Sequence, residues 1–427
     1  MTTPALDRRE LVTVNQSRLW DTLMELGAIG SYPDEATGCM GVRRLALTDA
    51  EKLGRERLVS WFEEAGLQVR VDVMGNIFGV RPGTHPELPP VIIGSHIDSV
   101  ATAGAFDGCL GVLGGLEIVR TLNDRAAETR RTIIVAAWSE EEGVRFGTDM
   151  LGSAVAVGRI ALDDAYALVD GEGLAFGDEL VRIGFRGDVP VPIAAPHAYL
   201  ECHIEQGPVL AAEGKDIGIV TGVQAISWFR VSVHGKPAHA GTTPTGLRVD
   251  AGLAASRIVV RLRELVDSGV FGEMRATVGQ IEAHPGLVNV IPERVDLTID
   301  LRNPDDALMA DAEAALDAFL DELRAEDREL RIDVARTAGT PFVPFDADMQ
   351  DEYEAIAEEF GYSTMRIVSG AGHDAQEMAS ITRSAMVFVR GEYEGISHNP
   401  REYSTPEACA QGINVLATAA LGYADEV

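Results

Sequence analysis

The sequence predicts an α/β protein with a mixed, mainly parallel sheet, helices on both faces of that sheet, and an inserted ferredoxin-like α+β unit. Two observations predict this architecture. Short, uniformly apolar runs, typical of strands buried on both faces, alternate with helical segments over most of the chain. They are interrupted by a segment with the element order β-α-β-β-α-β, which is typical of a ferredoxin-like unit. We therefore expect one domain from residues 1–212 and 337–427, and an inserted domain at residues 213–336.

The composition is that of an acidic globular protein. The chain has 427 residues and a formal net charge of −31, which argues against nucleic acid and anionic membranes as partners. Its four cysteines form no C-x-x-C pair, which argues against a disulfide framework or a structural zinc finger. The N-terminus lacks the apolar core of a signal peptide, and no apolar run is long enough to span a membrane. A cytoplasmic location is therefore expected.

The first elements in chain order are helices and a half-buried strand pair. Residues 16–27 have a helical pattern. Thr48 and Glu51 have the spacing of a capping box, which predicts a helix start, and Gly66 predicts its end. Alternating apolar residues then predict strands at 67–73 and 76–80.

Four uniformly apolar runs follow, each with a histidine or acidic residues at its carboxyl end. The runs begin at Val91, Thr132, Ala198 and Ser384. The side chains after them include His96 with Asp98, the acidic triple 140–142, His203, and His398. In open α/β sheets, ligands bind at the carboxyl ends of the strands, so we expect these side chains to meet at one edge.

The inserted unit lies between the third and fourth of these runs. Its predicted elements are strand 217–233, helix 247–265, strands 276–281 and 294–302, helix 305–324 and strand 330–335.

Five side chains near the strand ends form a set of nitrogen and oxygen metal ligands. They are His96, Asp107, Glu142, His203 and His398. Such donors suit Zn²⁺, with Mn²⁺, Co²⁺ or Ni²⁺ as substitutes. Five ligands exceed the three of a single catalytic zinc and fit two divalent ions about 3.5–4 Å apart that share a carboxylate. Asp107 is the expected bridge, because it is close in sequence to His96.

Two more carboxylates have expected supporting roles. Asp98 is too near His96 to be an independent ligand, and we expect its carboxylate to accept the ring N–H of His96. Glu141, next to a ligand, is placed to take a proton from a water as general base.

In combination, these segments resemble the amidase/hydantoinase/carbamoylase family of di-zinc aminoacylase-like hydrolases. That group includes N-carbamoyl-L-amino-acid hydrolases, β-ureidopropionases and allantoate amidohydrolases. The resemblance runs from about Asp49 to Thr405 and is carried by G-S-H-I-D-S-V, A-F-D-G, S-E-E-E-G-V-R-F, H-I-E-Q-G-P, H-G-K-P-A-H-A-G-T-T-P, N-V-I-P, S-G-A-G-H-D-A and I-S-H-N-P.

At the metal centre, the resemblance implies that His96 and His203 hold one ion. Glu142 and His398 would hold the other, with Asp107 between the ions.

Within the acidic triple, the resemblance makes Glu141 the base. Glu141 and Glu142 are selected because Gly143 follows directly, as it does in the family. Glu140 and Glu141 are the alternative pair.

The resemblance also implies substrate contacts. His239 of the inserted domain, reaching across from the partner subunit of a homodimer, would polarise the scissile carbonyl. Asn289 and Arg302 would bind the substrate carboxylate. Further contacts are implied for Gln206, for Gly372 and His373, and more loosely for Gln224.

The implied reaction is hydrolysis of a linear ureido bond, with an N-carbamoyl-L-amino acid converted to the L-amino acid, CO2 and NH3. Allantoate or ureidoglycolate hydrolysis and β-ureidopropionase activity are close alternatives, and a dipeptidase or aminoacylase is the next. A non-catalytic metal-binding or amino-acid-binding protein is the alternative from a different class; such a protein would be expected to lack the base or a ligand.

Overall fold

The computed structural model describes residues 10–426, so the first nine residues, where we predict no signal-peptide core, lie outside it. The chain divides into a larger unit, ending at Thr221 and resuming at Pro344, and a smaller unit, Gly222–Val343. No helix among residues 10–426 is both long and apolar enough to cross a bilayer. The cytoplasmic location stays a prediction.

The first part of the larger unit alternates helices and strands. Its elements are α1 (Gln16–Ala28), β1 (Ser31–Pro33), β2 (Met40–Val42), α2 (Asp49–Glu64), β3 (Gln68–Val71), β4 (Ile77–Arg81), β5 (Val91–His96), α3 (Cys109–Asp124), β6 (Ile133–Trp138), α4 (Leu151–Ala156), α5 (Leu162–Tyr166), α6 (Phe176–Ile183), β7 (Ala198–Ile204), α7 (Val209–Glu213) and β8 (Ile217–Val223). Thr48 caps α2 as predicted, with its side chain accepting a hydrogen bond from Glu51 N.

The smaller unit follows the predicted order β-α-β-β-α-β, with three short strands added. Its elements are β9 (Ala225–His234), β10 (Ala238–His239), α8 (Ala251–Asp267), β11 (Arg275–Thr277), β12 (Ile281–His284), β13 (Val290–Ile291), β14 (Arg294–Asn303), α9 (Asp306–Glu326) and β15 (Arg331–Thr340). The main sheet has the order β11-β14-β9-β15, and β12 also pairs with β14. Every second residue of β14 is buried, and the unit has an apolar core of its own with residues from α8 and α9.

The rest of the chain returns to the larger unit. Its elements are β16 (Val343–Pro344), α10 (Ala347–Glu359), β17 (Thr364–Ser369), α11 (Asp374–Met378), β18 (Ser384–Val389) and α12 (Pro406–Asp425).

The sheet of the larger unit is parallel only at its centre. Strands β18, β7, β5 and β6 are parallel neighbours, whereas β8, β4 and β3 pair antiparallel at the two sides. The predicted mainly parallel sheet therefore holds for the four central strands. Because β5, β7 and β18 are buried along their whole length, both faces of the sheet centre are covered.

Two predicted strands are each divided in two. The segment 276–281 contributes to β11 and β12, which both pair with β14. The segment 217–233, expected to be one strand of the inserted domain, forms two strands that belong to different sheets. Its first half is β8, which pairs with β18 of the larger sheet, and its second half is β9 of the smaller one. The smaller unit accordingly begins at Gly222 rather than at residue 213.

Candidate metal centre

The four central strands bring their carboxyl ends to one edge of the larger sheet. In the parallel registers, His96 of β5 is opposite Trp138 of β6, and His203 of β7 is opposite Phe388 of β18. The loops that leave β6 and β18 carry Glu142 and His398. Side chains far apart in the sequence therefore share one region, as expected from the strand pattern.

Two groups of ligand-type side chains lie at this edge and share one carboxylate. His96, Asp107 and His203 form the first group, and Asp107, Glu142 and His398 form the second, with ligand atoms within 4.8 Å of one another in each. The first group is buried, whereas His398 opens the second to solvent with a side chain 50% exposed. These are the five residues predicted as ligands, in the predicted pairing.

The two oxygens of Asp107 face different groups. Oδ1 lies 3.1 Å from Nε2 of His203 and 3.7 Å from Nε2 of His96. Oδ2 lies 3.4 Å from Nε2 of His398, and the same Nε2 lies 3.4 Å from Oε2 of Glu142. A carboxylate oriented in this way can contribute one oxygen to each of two cations.

The buried imidazoles are oriented by main-chain carbonyls. Nδ1 of His96 donates to the carbonyl oxygen of Asp98 at 3.0 Å, and Nδ1 of His203 donates to that of Ile204 at 2.9 Å. With the proton on Nδ1, each ring has its lone pair on Nε2, and Nε2 of His203 accepts the backbone N–H of Gly108 at 3.1 Å. Nε2 of His96 is buried and has no hydrogen-bond partner, which fits a ligand atom whose partner is a cation.

The backbone approaches the His96 ring closely. Gly108 has φ = 64°, and a Cβ added there would lie 2.3 Å from Nε2 and 2.4 Å from Cδ2 and Cε1 of His96, against the face of the ring. Only glycine combines this conformation with so close an approach. The residues present thus fit a pair of divalent cations in donor type and in the orientation of the donors.

Burial and neighbouring charges shift the pKa values of several side chains at the centre. Burial, together with the neighbouring carboxylates, raises the pKa values of Glu141 and Glu142 well above the usual range. Burial lowers the pKa of His96 to about 4. Burial also acts to lower the pKa of His203, but Asp107 outweighs it and raises this pKa to about 9. A proton on Nε2 of His203 would pair with Asp107, and a bound cation would take the place of that proton.

The acidic triple after β6 separates into three different environments. Oε1 of Glu140 accepts the backbone N–H of Phe146 at 2.8 Å. Oε2 of Glu141 lies 3.4 Å from Nε2 of His96, and Glu142 lies beside His398. This arrangement favours Glu141 as base and Glu142 as ligand over the alternative pair Glu140 and Glu141.

Asp98 differs from its prediction. Its carboxylate oxygen is 3.6 Å from Nδ1 of His96, too far for a hydrogen bond, because the backbone carbonyl of the same residue occupies that position. The carboxylate instead accepts the backbone N–H groups of Glu141 (3.3 Å) and Glu142 (3.2 Å). Asp98 thus supports the acidic loop with its side chain and His96 with its main chain.

Gln206 and His373, expected to contact substrate, both lie at the centre. Nε2 of Gln206 donates to Oδ2 of Asp107 at 2.8 Å, and its Oε1 is buried without a partner. The ring centroids of His373 and His203 are 4.5 Å apart, and Nε2 of His373 lies 2.9 Å from Oγ of Ser369. Gly372 precedes His373 and packs against the side chain of Met150.

Three non-glycine residues of this region have a left-handed backbone. The φ values are 54° for Glu140, 56° for Gln206 and 53° for His398. Such conformations are costly and are retained where the surrounding structure holds them. The loops that carry the centre are therefore held in set shapes.

The remaining predicted contacts belong to the smaller unit. β10 pairs with β13, so that His239 is opposite Val290, and the N–H of Ala240 donates to the carbonyl of Asn289 at 2.9 Å. His239 and Asn289 are therefore neighbours, and both are exposed. Nδ1 of His239 accepts the N–H of Gly241 at 3.1 Å, which leaves the ring proton on the outward Nε2.

Arg302 lies near the end of β14, and Asn289 lies in the segment that precedes this strand. The strand residues from 294 to 302 alone extend over about 26 Å, at about 3.3 Å per residue. Nη2 of Arg302 lies 2.9 Å from Oδ2 of Asp300. Gln224 is buried and accepts a hydrogen bond from Arg275 at 2.9 Å.

Sequence reasoning missed two carboxylates that support the ligands. Glu402 is buried; its Oε1 accepts the N–H groups of Phe106 and Asp107, both at 3.1 Å, and its Oε2 lies 2.8 Å from Oγ of Ser397. Its position four residues after His398 was the available signal.

Glu201 is the second missed carboxylate. It accepts hydrogen bonds from Ser95, Tyr199 and Ala375. It also forms a ligand-type group with His203 and His373, but these donors already occupy both of its oxygens. Glu201 is two residues before His203, on the same face of β7, which was the available signal.

Comparison with known proteins agrees with this geometry. Residues 92–422 match the sequence profile described as Peptidase family M20/M25/M40. The chain belongs to this family. Within it, an N-carbamoyl-L-amino-acid amidohydrolase of Rhizobium meliloti is 43% identical to this M20 chain over 100% of both sequences. A ureidoglycolate hydrolase of Arabidopsis thaliana is 32% identical over 95% of this chain and 86% of its own length.

Solved structures place the chain among hydantoinase/carbamoylase amidases of the M20 family, as the sequence motifs predicted. The crystal structure of such an amidase from Burkholderia multivorans is 44% identical and superposes with a TM-score of 0.92. The match covers 97% of this chain and 99% of that one.

Proposed function

We propose that this protein hydrolyses the linear ureido bond of N-carbamoyl-L-amino acids and releases the L-amino acid, CO2 and NH3. The observation that carries the proposal is the pair of ligand groups that share Asp107, with Glu141 3.4 Å from a ligand nitrogen. The 43% identity to an N-carbamoyl-L-amino-acid amidohydrolase over the whole chain supports the choice of substrate.

In this proposal, His96, His203 and Asp107 would hold one divalent ion, and Glu142 and His398, together with Asp107, would hold a second; Zn²⁺ is the expected ion. When bound, the ions supply Lewis acidity, which polarises the substrate carbonyl and makes water more acidic.

Glu141 handles the proton. Its buried carboxylate takes a proton from the attacking water while the water oxygen bonds to the ureido carbon. It returns that proton to the amino-acid nitrogen as the carbon–nitrogen bond breaks. The second product is a carbamate, which decomposes to CO2 and NH3.

The smaller unit supplies substrate contacts in this proposal, and two copies of it pair in a homodimer. The outward Nε2–H of His239 donates to the carbonyl oxygen, and Asn289 and Arg302 bind the substrate carboxylate. The length of β14, about 26 Å between residues 294 and 302, separates Arg302 from the start of the strand that Asn289 precedes. This separation supports a site in which Arg302 and Asn289 come from different subunits, with His239, the neighbour of Asn289, from the partner. Gln206, Gly372 and His373 contact the substrate from the larger unit, and Gln224 is the loosest of these assignments.

Ureidoglycolate is the second candidate substrate. The observation that favours it is the 32% identity to the Arabidopsis ureidoglycolate hydrolase over 95% of this chain. Its hydrolysis would use the same ligands and base, so the two candidates differ only in the side-chain region of the substrate.

A substrate panel tests the proposal. The purified, metal-loaded protein is assayed for ammonia and amine release from N-carbamoyl-L- and D-amino acids, β-ureidopropionate, allantoate, ureidoglycolate and a dipeptide. We expect the N-carbamoyl-L-amino acids to have the highest kcat/KM. Glu141→Gln should lower kcat by about 10²–10⁴-fold, the usual contribution of a general base. Faster turnover of the dipeptide, or full activity of Glu141→Gln, would contradict the proposal.

A further inference from the structure

Arg44 is a fully buried arginine that forms no ion pair with the described residues. Its side chain has 0% relative exposure. Its partners are three main-chain carbonyl oxygens and one sulfur, and no carboxylate is among them. A buried guanidinium is costly unless its N–H groups are satisfied, so a structure that retains one has a use for its geometry.

The guanidinium joins three segments. Nε donates to the carbonyl of Ile97 at 2.7 Å, and Nη1 donates to the carbonyls of Leu26 and Ile29, both at 2.9 Å. Nη2 lies 3.0 Å from Sγ of Cys109. The main chain of Arg44 is also tied to Ser99, whose Oγ accepts its N–H at 2.8 Å.

Two of these segments carry the proposed ligands. Ile97 lies between His96 and Asp98, and the Asp98 carbonyl orients the His96 ring. Cys109 begins α3 and follows Asp107 and Gly108 directly. The third segment is the C-terminal end of α1, where carbonyls are typical acceptors for a cation; the Leu26 carbonyl also accepts the N–H of Ile29 at 3.0 Å.

The fourth partner of the guanidinium, Sγ of Cys109, is a weak hydrogen-bond acceptor. Gly54 of α2 leaves room for the stem of the side chain, because a Cβ there would lie 3.0 Å from Cδ of Arg44. A planar fork with donors in fixed directions suits this set of acceptors, and the single ammonium of a lysine does not.

We propose that Arg44 is a positioning residue of the metal centre, which holds the 96–98 turn and the start of α3 so that His96 and Asp107 face the same ion. The inference rests on the proposed metal centre. It adds a residue that touches neither substrate nor ion and acts through two main-chain segments.

The test measures metal affinity rather than activity. Parent protein, Arg44→Lys and Arg44→Gln are stripped with a chelator and titrated with Co²⁺, and affinity is followed by calorimetry and by the visible absorption of the bound ion. We expect both variants to bind the ion at His96 and His203 about 10–100-fold more weakly, as is usual when a supporting contact of a metal ligand is lost. The absorption spectrum should change as well, because the geometry of the ligands changes.

Arg131 provides the matched control. It is also a buried arginine with a carbonyl partner, Pro89 at 3.2 Å, but it precedes β6 and thus lies at the opposite edge of the sheet. Arg131→Gln should lower the unfolding temperature and leave the Co²⁺ affinity and spectrum as in the parent. A purely structural role for Arg44 would give the same result for both arginines.

Each outcome decides the inference. Weaker binding with a changed spectrum in a folded Arg44 variant supports it. Parental affinity in a folded variant overturns it and leaves the metal centre intact. Failure of both Arg44 variants to fold overturns it too, because Arg44 would then serve the fold as a whole. A parent protein that binds no Co²⁺ overturns the metal centre itself.

Discussion

At the residue scale, Gly108 shows how little space surrounds the candidate centre. Two separate features require glycine here: the φ of 64°, and the 2.3 Å between an added Cβ and Nε2 of His96. The first concerns the backbone conformation, and the second concerns the position of the His96 ring. Substitution can therefore separate a cost in stability from a cost in binding.

Gly108→Ala should weaken binding of the ion at His96 and His203, and lower activity with it. The methyl group would overlap the face of the His96 ring and displace that ring, and the helix α3 that starts at the next residue limits how far the backbone can move. Gly66→Ala is the control, because Gly66 has φ = 77° and nothing within 4 Å of an added Cβ. That control should lose about 1–2 kcal/mol of stability and retain full metal content, measured by urea unfolding and metal analysis. Equal metal content in Gly108→Ala and Gly66→Ala would refute this account.

The five proposed ligands could be predicted because buried strands deliver their last residues to one sheet edge. The role of Asp98 could not be predicted in the same way. Whether its carboxylate or its own carbonyl faces His96 depends on the path of the turn after β5, which residue spacing does not determine. Glu402 was missed because its bonds go to the N–H groups of Phe106 and Asp107, almost 300 positions earlier in the chain.

At the element scale, the loop after β6 is held by a buried polar network. Oδ1 of Asn76 accepts the N–H of Ser139 at 2.9 Å, and Nδ2 of Asn76 donates to Asp72 and to the carbonyl of Gly152. Arg55 donates to Oγ of Ser139 at 3.0 Å. The acidic triple follows Ser139 directly, so this network determines where Glu141 and Glu142 begin.

Asn76→Ala should therefore destabilise the protein and displace the acidic loop. It leaves the N–H of Ser139 buried without its partner, at a cost of about 1–3 kcal/mol, and it removes the hydrogen bonds from Asn76 to Asp72 and Gly152. The expected loss of unfolding free energy is measured in urea, and kcat should fall with little change in fold. Asn123→Ala is the control. It removes an exposed amide that donates to the carbonyl of Ala65, and we expect it to lower the free energy of unfolding by no more than about 0.5 kcal/mol. Similar losses for the two variants would be evidence against the network.

The division of 217–233 between two sheets was not predictable from apolar alternation. Both halves have strand composition, and only Gln224 separates β8 from β9. Which sheet a strand joins depends on the partner that lies beside it, and β18 is more than 160 residues away. Local sequence pattern predicts that a strand exists but not its neighbour.

At the scale of the whole molecule, the net charge of −31 opposes an anionic substrate. We expect kcat/KM for an N-carbamoyl amino acid to rise severalfold between about 0.01 and 0.15 M salt, as the Debye length falls from about 30 Å to about 8 Å. The amide of the same compound, which has no carboxylate, is the control, and its kcat/KM should not change with salt concentration. Parallel salt profiles for the two compounds would show that the overall charge has no such effect.

The homodimer proposal predicts complementation between inactive variants. Glu141→Ala and His239→Ala should each be nearly inactive alone. After mixing, dissociation and reassembly, half of the dimers are hybrids with one intact site, so activity should recover to about one quarter of the parent value. Assays before and after reassembly measure this. No recovery, with mixed dimers demonstrated by a tag on one variant, would mean that Glu141 and His239 of the same chain act together.

The main-chain carbonyls that orient His96 and His203 have a consequence for how this centre can evolve. A carboxylate side chain that supports a ligand can be lost by one codon change, whereas a peptide carbonyl is present whatever residue occupies the position. Substitutions at Asp98 and Ile204 would therefore leave in place the carbonyls that orient these two histidine rings. Selection for a different metal would act instead on the carboxylate ligands, and a lineage could exchange one ion for another without rebuilding the imidazole side of the site.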